Sequence, residues 1–541
     1  MPEVKLLDCT LRDGGYVNDW KFGHDNLVCI FERMVDAGID FIEIGFLDER
    51  RSFDMDRSIM PDTDSVGKLF GGLDRKGTKV LGMIDFGTCG IEKIRPKKAS
   101  FLDGIRVIFK KHLRKEAMEF CAQLKALGYL VFAQMVSVTS YEDGEMLDLI
   151  RLANEVQPYA VSMVDTYGLM YRENIRHYFE LLNTNLDSEI AIGYHAHNNF
   201  QMGYANCIAM MSLHTKRDLL VDGTVYGMGK SAGNAPIELI AMWMNENLGK
   251  NYHLSQILEA IDSNISNFYT PATWGYNMFF FVAAQNECHP SYVSYLMEKR
   301  TLSIRSVNRI LARIPKEKKL LYDAAYIEGL YKDYQDREMD DGEALSALET
   351  AFAGRNLLLL APGANLHRQQ ERVRDYIRKE NPLVVSVNFI EERFPIDYLF
   401  LTNSKRYVQL ATVLSRQDGE YRVIATSNVA KTNGTFDYVL KYSSFIDREA
   451  EVIDNPFLMF LKVLGKTGVR KVALAGFDGY RGTGEADYIW PNLEYHFGRK
   501  EAERVNRYVT GELRKGKDRM ETVFITDSIY EREDGRAENE S

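Results

Sequence analysis

The chain lacks any Cys-x-x-Cys pair. Its six cysteines, Cys9, Cys29, Cys89, Cys121, Cys207 and Cys288, are scattered over 541 residues. This usage points to reduced thiols in a cytoplasm rather than a disulfide framework. There is no long apolar run. The longest, Met278 to Ala284, is too short to span a bilayer. There is no excess of positive charge either. A formal net charge of −10 argues against a general nucleic-acid-binding surface. Met1-Pro2-Glu3-Val4-Lys5 leads straight into an apolar segment, without the basic and apolar regions of a signal peptide. No repeat at a solenoid period is visible. The expectation is a cytoplasmic protein whose partners are neither nucleic acid nor membrane.

What the chain does contain is an alternation of strand and helix patterns over its first 250 or so residues. Leu27, Ile30, Phe31, Met34 and Val35 recur as one helical face, with Asp25 as N-cap and Gly38 as stop. Phe41–Phe46 reads as a strand. So do 79–85, 104–109, 130–137, 160–166, 191–198 and 219–226. With the apolar start of Leu6-Leu7-Asp8-Cys9-Thr10-Leu11-Arg12-Asp13-Gly14-Gly15, these make eight. Eight βα units fit an α/β TIM barrel; a doubly wound open sheet is the alternative. Residues 251–353 read as a helical extension. Residues 354–530 read as a Rossmann-like α/β domain, with Gly354 as a hinge, and 531–541 as an acidic, disordered tail.

Polar residues gather at the strand ends: Arg12, Asp13, Glu43, Asp85, Gln134, Asp165, His195, His197 and Asp222. A parallel strand buried on both faces is normally apolar, so each exception needs a partner. The first strand reads as ending in Arg12 and Asp13 before two glycines break it. His195 and His197, at i and i+2, point to one side of another strand. Each feature alone is weak. Together they place two imidazoles and a carboxylate in one rim, a common set for a divalent metal, Mn or Mg. Three protein ligands leave positions open for a 2-oxo acid, and the metal would act as a Lewis acid toward an enolate. Arg12 suits the developing negative oxygen. Glu43, Asp165 and Asn199 are candidates either for contact with the substrate or for support of the metal ligands.

Leu7-Asp8-Cys9-Thr10-Leu11-Arg12-Asp13-Gly14, taken with His195-Ala196-His197-Asn198-Asn199, resembles the DRE-TIM metallolyase superfamily. Its members include 3-hydroxy-3-methylglutaryl-CoA lyase, the 2-isopropylmalate and homocitrate synthases, and 4-hydroxy-2-oxovalerate aldolase. Gly227-Met228-Gly229-Lys230-Ser231-Ala232-Gly233-Asn234-Ala235-Pro236 is similar to the family's glycine-rich segment, and Trp274-Gly275-Tyr276 matches more loosely. The resemblance is greatest to the aldolase branch. It implies Asp13, His195 and His197 as metal ligands and Arg12 at the pyruvate enolate. Tyr276 joins Arg12 among the catalytic candidates. In the bacterial aldolase a histidine three residues past the motif's aspartate serves as acid/base. Here Tyr16 stands there, with a phenol whose unperturbed pKa of about 10 is poorly matched to neutral pH; His24 is the other candidate. The implied partners are a 2-oxo acid and an aldehyde, in a homo-oligomer. In the resembling aldolases the helical extension contacts a dehydrogenase. An acetyl-CoA-dependent Claisen enzyme and a non-catalytic scaffold of a sugar pathway are the rival readings.

Farther on, strand patterns recur at 357–361, 383–388, 398–402, 422–427 and 472–476. The first runs into Pro362-Gly363-Ala364-Asn365, a strand–turn–helix arrangement that suits phosphate. It is no Walker A loop, since no Gly-Lys-Ser/Thr follows it. With Asn388 and Asp478, this region loosely resembles the nucleotide-binding half of bacterial sialyltransferases and pterin pyrophosphokinase-like domains. That implies a nucleotide or nucleotide sugar at Gly363, Asn365, Asn388 and Asp478.

Overall fold

Eight parallel strands close on themselves in the N-terminal half of the computed structural model. They are β1 (Val4–Asp8), β2 (Phe41–Leu47), β3 (Lys79–Asp85), β4 (Gly104–Phe109), β5 (Leu130–Met135), β6 (Ala160–Asp165), β7 (Ala191–Ala196) and β8 (Leu219–Gly223). Closure is explicit in the register: Val4 faces Leu219 on one side of β1, and Leu7 faces Phe41 on the other. The fold is a TIM barrel. The structure describes residues 3–270, 273–298, 302–335, 339–416, 421–429, 431, 435–447, 450–481, 488–489 and 499–531. Most of the acidic tail expected at 531–541 lies outside them.

Helices follow seven of the strands; after β3 there are only the 3-10 turns Ile91–Lys93 and Lys97–Ala99. The helix His24–Asp36 buries the stripe Leu27, Ile30, Phe31, Met34 and Val35 against the strands. Inside the barrel, Leu7, Cys9, Phe41, Leu81, Phe132, Ala160, Ala191 and Leu220 form an apolar plug. The strands are thus buried on both faces, which is why they read as near-continuous apolar runs.

The chain forms two compact units, Met1–Ser294 with Pro315–Tyr322, and Tyr295–Ile314 with Asp323–Ser541. Among the described residues, 251–353 contain helices and no strand. Gly354 ends the helix Gly342–Phe352 with a φ of +66° inside the second unit. That unit carries seven parallel strands: β9 (Leu357–Leu360), β10 (Leu383–Val387), β11 (Tyr398–Leu401), β12 (Arg422–Thr426), β13 (Tyr438–Leu440), β14 (Lys471–Ala475) and β15 (Glu521–Phe524). Their spatial order is β13-β12-β11-β10-β9-β14-β15, a doubly wound sheet whose strand order reverses beside β9. Leu357 and Leu359 join one core, and Leu358 and Leu360 the core on the opposite face. No helix among the described residues is long and apolar enough to cross a membrane.

Gly45 of β2 has a φ of +144°, and a Cβ there would lie 1.9 Å from the Ser58 carbonyl oxygen. The approach lets Ser58 accept the Phe46 amide at 3.1 Å and donate its hydroxyl to Leu11 O at 2.6 Å. Alanine meets both a backbone penalty and a clash with main chain. Gly45→Ala is expected to cost about 2–3 kcal/mol, read as a lower urea midpoint for the barrel with little change in slope.

Candidate metal centre

Arg12 and Asp13 do not end the strand, as the sequence pattern suggested. Thr10–Asp13 form one helical turn and Gly14–Val17 a 3-10 turn. The cause is Asp8. Its carboxylate accepts the Thr10 amide at 3.2 Å and also the Thr10 hydroxyl, a local bond that turns the chain out of the strand as β1 stops. Gly15 then admits Trp20, since a Cβ there would lie 2.0 Å from the indole. The indole N–H donates to Arg12 O at 2.8 Å. Arg12 and Asp13 are thereby aimed inward, both buried.

His195 comes from β7. Its Nε2 lies 3.1 Å from Asp13 Oδ2, and its Nδ1 lies 3.0 Å from Asp222 Oδ2 on β8. His197, just past β7, brings Nε2 to 3.8 Å from the same Asp13 oxygen. The Asp13, His195 and His197 donor atoms all lie within 4.8 Å of one another. Burial opposes the Asp13 charge, but Arg12 and the two histidines hold its carboxyl well below the usual range. Asp222 is likewise buried and likewise kept ionised, by Arg106 and His195. An ionised carboxylate only accepts, so His195 donates to Asp222 from Nδ1. A neutral His195 then turns the lone pair of Nε2 toward an Asp13 oxygen. Two acceptors that close require a cation between them. Burial works against an imidazolium, yet the hydrogen bonds to Asp13 and Asp222 raise His195 above its ordinary pKa. Burial pushes His197 down to about 4, leaving a neutral ring beside the carboxylate. Its Nδ1 is buried and has no partner among the described residues. A buried set of two imidazole nitrogens and one carboxylate fits a divalent metal, with Asp222 orienting His195 from behind. Cys9 Sγ is 3.9 Å from His195 Nδ1, but it donates to Gly223 O at 3.3 Å, and burial holds the thiol protonated.

The charges continue inward. Arg12 donates from Nη1 to Asp13 and from Nε to Glu43 at 2.7 Å. Arg106 of β4 lies 3.2 Å from Glu43 through Nη1 and bonds Asp222 and Gln134 through Nη2. The glycine-rich segment covers this group. Gly227 and Gly233 have φ of +64° and +82°, and a Cβ on Gly229 would lie 2.1 Å from Asn234 Nδ2 and 3.2 Å from Asp13 Oδ1. The segment is stitched to the end of β7 by Asn198 N to Gly233 O at 2.8 Å and Ala235 N to Ala196 O at 3.1 Å.

Residues 108–263 match the family model described as HMGL-like. The chain is 25% identical over 269 residues to 4-hydroxy-2-oxovalerate aldolase 2 of Salinispora arenicola, covering 49% of this chain and 76% of the relative. It is 27% identical over 252 residues to oxaloacetate decarboxylase of Mycobacterium tuberculosis, covering 44% and 69%. The HMG-CoA lyase structure from Bacillus subtilis superposes with a TM-score of 0.41 at 17% identity, over 50% of this chain and 95% of that one.

Within the barrel the other sequence candidates fall as follows. Glu43 is enclosed by the two guanidiniums. Asp165 accepts the Leu169 and Met170 amides at 2.9 and 3.1 Å, and burial raises it to about 6. Asn199 donates to Tyr167 O at 2.9 Å and accepts Ala232 N at 3.0 Å. Both side chains therefore hold rim loops. Tyr16 is 44% exposed and packs its ring edge against Trp20 and Phe46. His24 opens its helix with its backbone amide on Asp56, and among the described residues no hydrogen bond or ion pair links it to the ring of charges. Tyr276 is 66% exposed beside the buried Trp274, whose indole donates to Tyr226 O at 3.0 Å. The roles of Asp222 and Arg106 were missed. Asp222 showed only as a polar strand end, and Arg106 was not singled out.

In the second unit a cavity of about 770 Å³ lies at the carboxyl ends of β9, β10, β11 and β14, lined in part by Gly363, Asn388, Thr402, Arg406 and Asp478. The turn expected to hold phosphate is already occupied by protein groups. Gly363 N donates to Gly476 O at 2.9 Å, and Asn365 N donates to Asp478 Oδ2 at 2.7 Å. The helix that follows, Asn365–Arg368, is four residues long. Asn388 instead bridges to Thr402, accepting its amide at 3.0 Å.

His197→Ala is expected to abolish tight Mn²⁺ binding. Asp222→Asn should weaken it about 10- to 100-fold through the orientation of His195, with circular dichroism unchanged in both. Isothermal titration with MnCl₂ reads the effect, and wild-type affinity in both variants would move the metal elsewhere.

Proposed function

We propose that the barrel carries out reversible aldol cleavage of a 4-hydroxy-2-oxo acid through a pyruvate-type enolate. The convergence of Asp13, His195 and His197 beside the Arg12 guanidinium carries this reading. A divalent cation held by those three residues, Mn²⁺ or Mg²⁺, would polarise the keto oxygen of a 2-oxo acid as a Lewis acid. Arg12 uses Nε and Nη1 on Glu43 and Asp13, which fixes the plane of its fork. Its remaining N–H groups can face the oxygen on which negative charge builds, with no reorganisation during the reaction. The glycine-rich segment keeps bulk water from the buried carboxylate. The relatives support the reading by their names. Aldol cleavage of 4-hydroxy-2-oxovalerate and decarboxylation of oxaloacetate both release pyruvate through its enolate. The matched residues serve what the two reactions share.

The test is metal-dependent deuterium exchange at C3 of pyruvate, followed by a screen of aldehydes in the condensation direction. Turnover of acetyl-CoA would instead support a Claisen enzyme. Arg12→Lys keeps the charge but loses the planar fork. Exchange is expected to fall by about 10²–10³ with metal still bound. An unchanged rate would make Arg12 solely a partner of Glu43 and Asp13.

For the second unit we infer a small-molecule site of the nucleotide or nucleotide-sugar class. The support is the cavity at the point where strand order reverses, the usual place for ligands in open α/β sheets. Titration of the full chain with nucleotides and nucleotide sugars tests it. Arg406→Ala and Asn388→Ala are expected to weaken any binding seen, and heat unchanged by both would discard this cavity.

A further inference from the structure

Position 16 leaves the second half of the aldol reaction without an obvious group to meet the aldehyde oxygen. The structure brings another pair to that place. Lys230 lies in the glycine-rich segment, with its backbone N 3.4 Å from Asp13 Oδ1. Its Nζ stands 5.5 Å over the face of the Tyr16 ring. Across from it, 3.3 Å from Nζ, is His289 Nε2. His289 is pinned from two sides. Its backbone amide donates to Lys319 O at 2.8 Å, and its Nδ1 accepts the Ser291 amide at 3.2 Å. A backbone N–H can only donate, so Nδ1 must present its lone pair. The proton of the neutral ring is therefore on Nε2, on the side of Lys230. Burial, with Lys230 nearby, pushes the imidazole down to about 4, so the ring is neutral near pH 7. Its other ring neighbour is Tyr322, with centroids 6.2 Å apart.

Two nitrogens that carry protons thus face one another at the mouth of the site. Among the described residues Lys230 has no ion pair with a carboxylate. What the pair lacks is an oxygen. We propose that Lys230 Nζ and His289 Nε2–H form a two-donor seat for the aldehyde carbonyl oxygen, which is the 4-hydroxyl oxygen of the 4-hydroxy-2-oxo acid. This rests on the aldolase reading above. The seat orients that carbonyl against C3 of the enolate and polarises it; as the C3–C4 bond forms, the alkoxide takes a proton from Lys230 Nζ, and in cleavage the Lys230 amine accepts the 4-hydroxyl proton while the C3–C4 electron pair returns to the enolate. Tyr16 forms the floor under the Lys230 chain. A neutral imidazole donor suits a carbonyl oxygen better than an imidazolium, because it polarises without surrendering its proton.

The experiment compares two rates in the metal-loaded full chain: cleavage of 4-hydroxy-2-oxovalerate, and deuterium exchange at C3 of pyruvate. Exchange needs no second carbonyl, so the ratio of the two isolates the seat. His289→Ala is expected to lower the ratio of cleavage to exchange about 10²-fold. His289→Gln, which keeps an N–H on a side chain of similar reach, should restore at least about a tenth of the wild-type ratio. An unchanged ratio in His289→Ala overturns the seat and leaves the aldolase reading standing. Absence of exchange in the wild-type chain overturns both, since the oxygen to be seated then has no source.

Discussion

A closed ring of alternating charge runs through the barrel, and the site depends on it. Glu43 is held by Arg12 and Arg106. Arg12 reaches Asp13, Asp13 faces His195, His195 donates to Asp222, and Asp222 returns to Arg106. Each member touches two others and is buried. Such ionic networks seldom add stability, because desolvating the charges costs as much as their attraction returns. What they do supply is orientation. No member can rotate without leaving a buried charge uncompensated. The ring also counts charge. Three carboxylates face two guanidiniums, and the third positive charge comes from His195 only when it is protonated. A divalent cation against Nε2 and Asp13 meets the same requirement. A place for a divalent metal therefore follows from the chain's own electrostatics.

The ring needs the barrel around it. Below lies the plug of Leu7, Phe41, Leu81, Phe132 and Leu220, which excludes water from Glu43 and Arg106. Above lies the glycine-rich segment. Its glycines let backbone pass within van der Waals contact of Asp13, at positions where a Cβ would collide. Charge stabilisation in such an enclosure is far stronger than at a surface. On the proposed reading, that is why Arg12 would act strongly on a developing oxygen charge while already bonded twice.

The barrel was legible because its strands are short apolar runs and its helices carry 3.6-residue stripes. Asp13, His195 and His197 were legible because strand-end polarity in a doubly buried strand demands an explanation. The turn Thr10–Asp13 was not. It hinges on the Asp8 carboxylate taking the Thr10 amide, a local hydrogen bond that competes with strand continuation. Glu43 looked like a substrate contact because its two guanidinium partners lie on other strands, and only the closed register brings Arg106 to it. The link from His289 to Lys230 spans 59 residues and leaves no periodic trace. In the second unit β13 and β15 escaped notice because they are the two edge strands and only partly buried, so neither reads as an apolar run. The Gly363 turn looked like a phosphate cradle, but its amide partners come from Gly476 and Asp478, more than a hundred residues away.

The departure at position 16 follows from the same geometry. A phenol is a poor acid or base near neutrality, but its face attracts a cation. Lys230 stands over that face, and its backbone rests on Asp13. A histidine at 16 would offer the lysine no such surface and would add a second titrating ring beside His197. Tyrosine at 16, lysine at 230 and histidine at 289 therefore belong together as one arrangement. It leaves the ring of charges untouched and alters only what stands at its mouth. On the aldolase reading, the half of the reaction that makes the enolate belongs to the buried ring, and the half that meets the second carbonyl belongs to the loop and helices laid over it. On that reading, a change at the mouth would alter the second partner and leave enolate formation as it is.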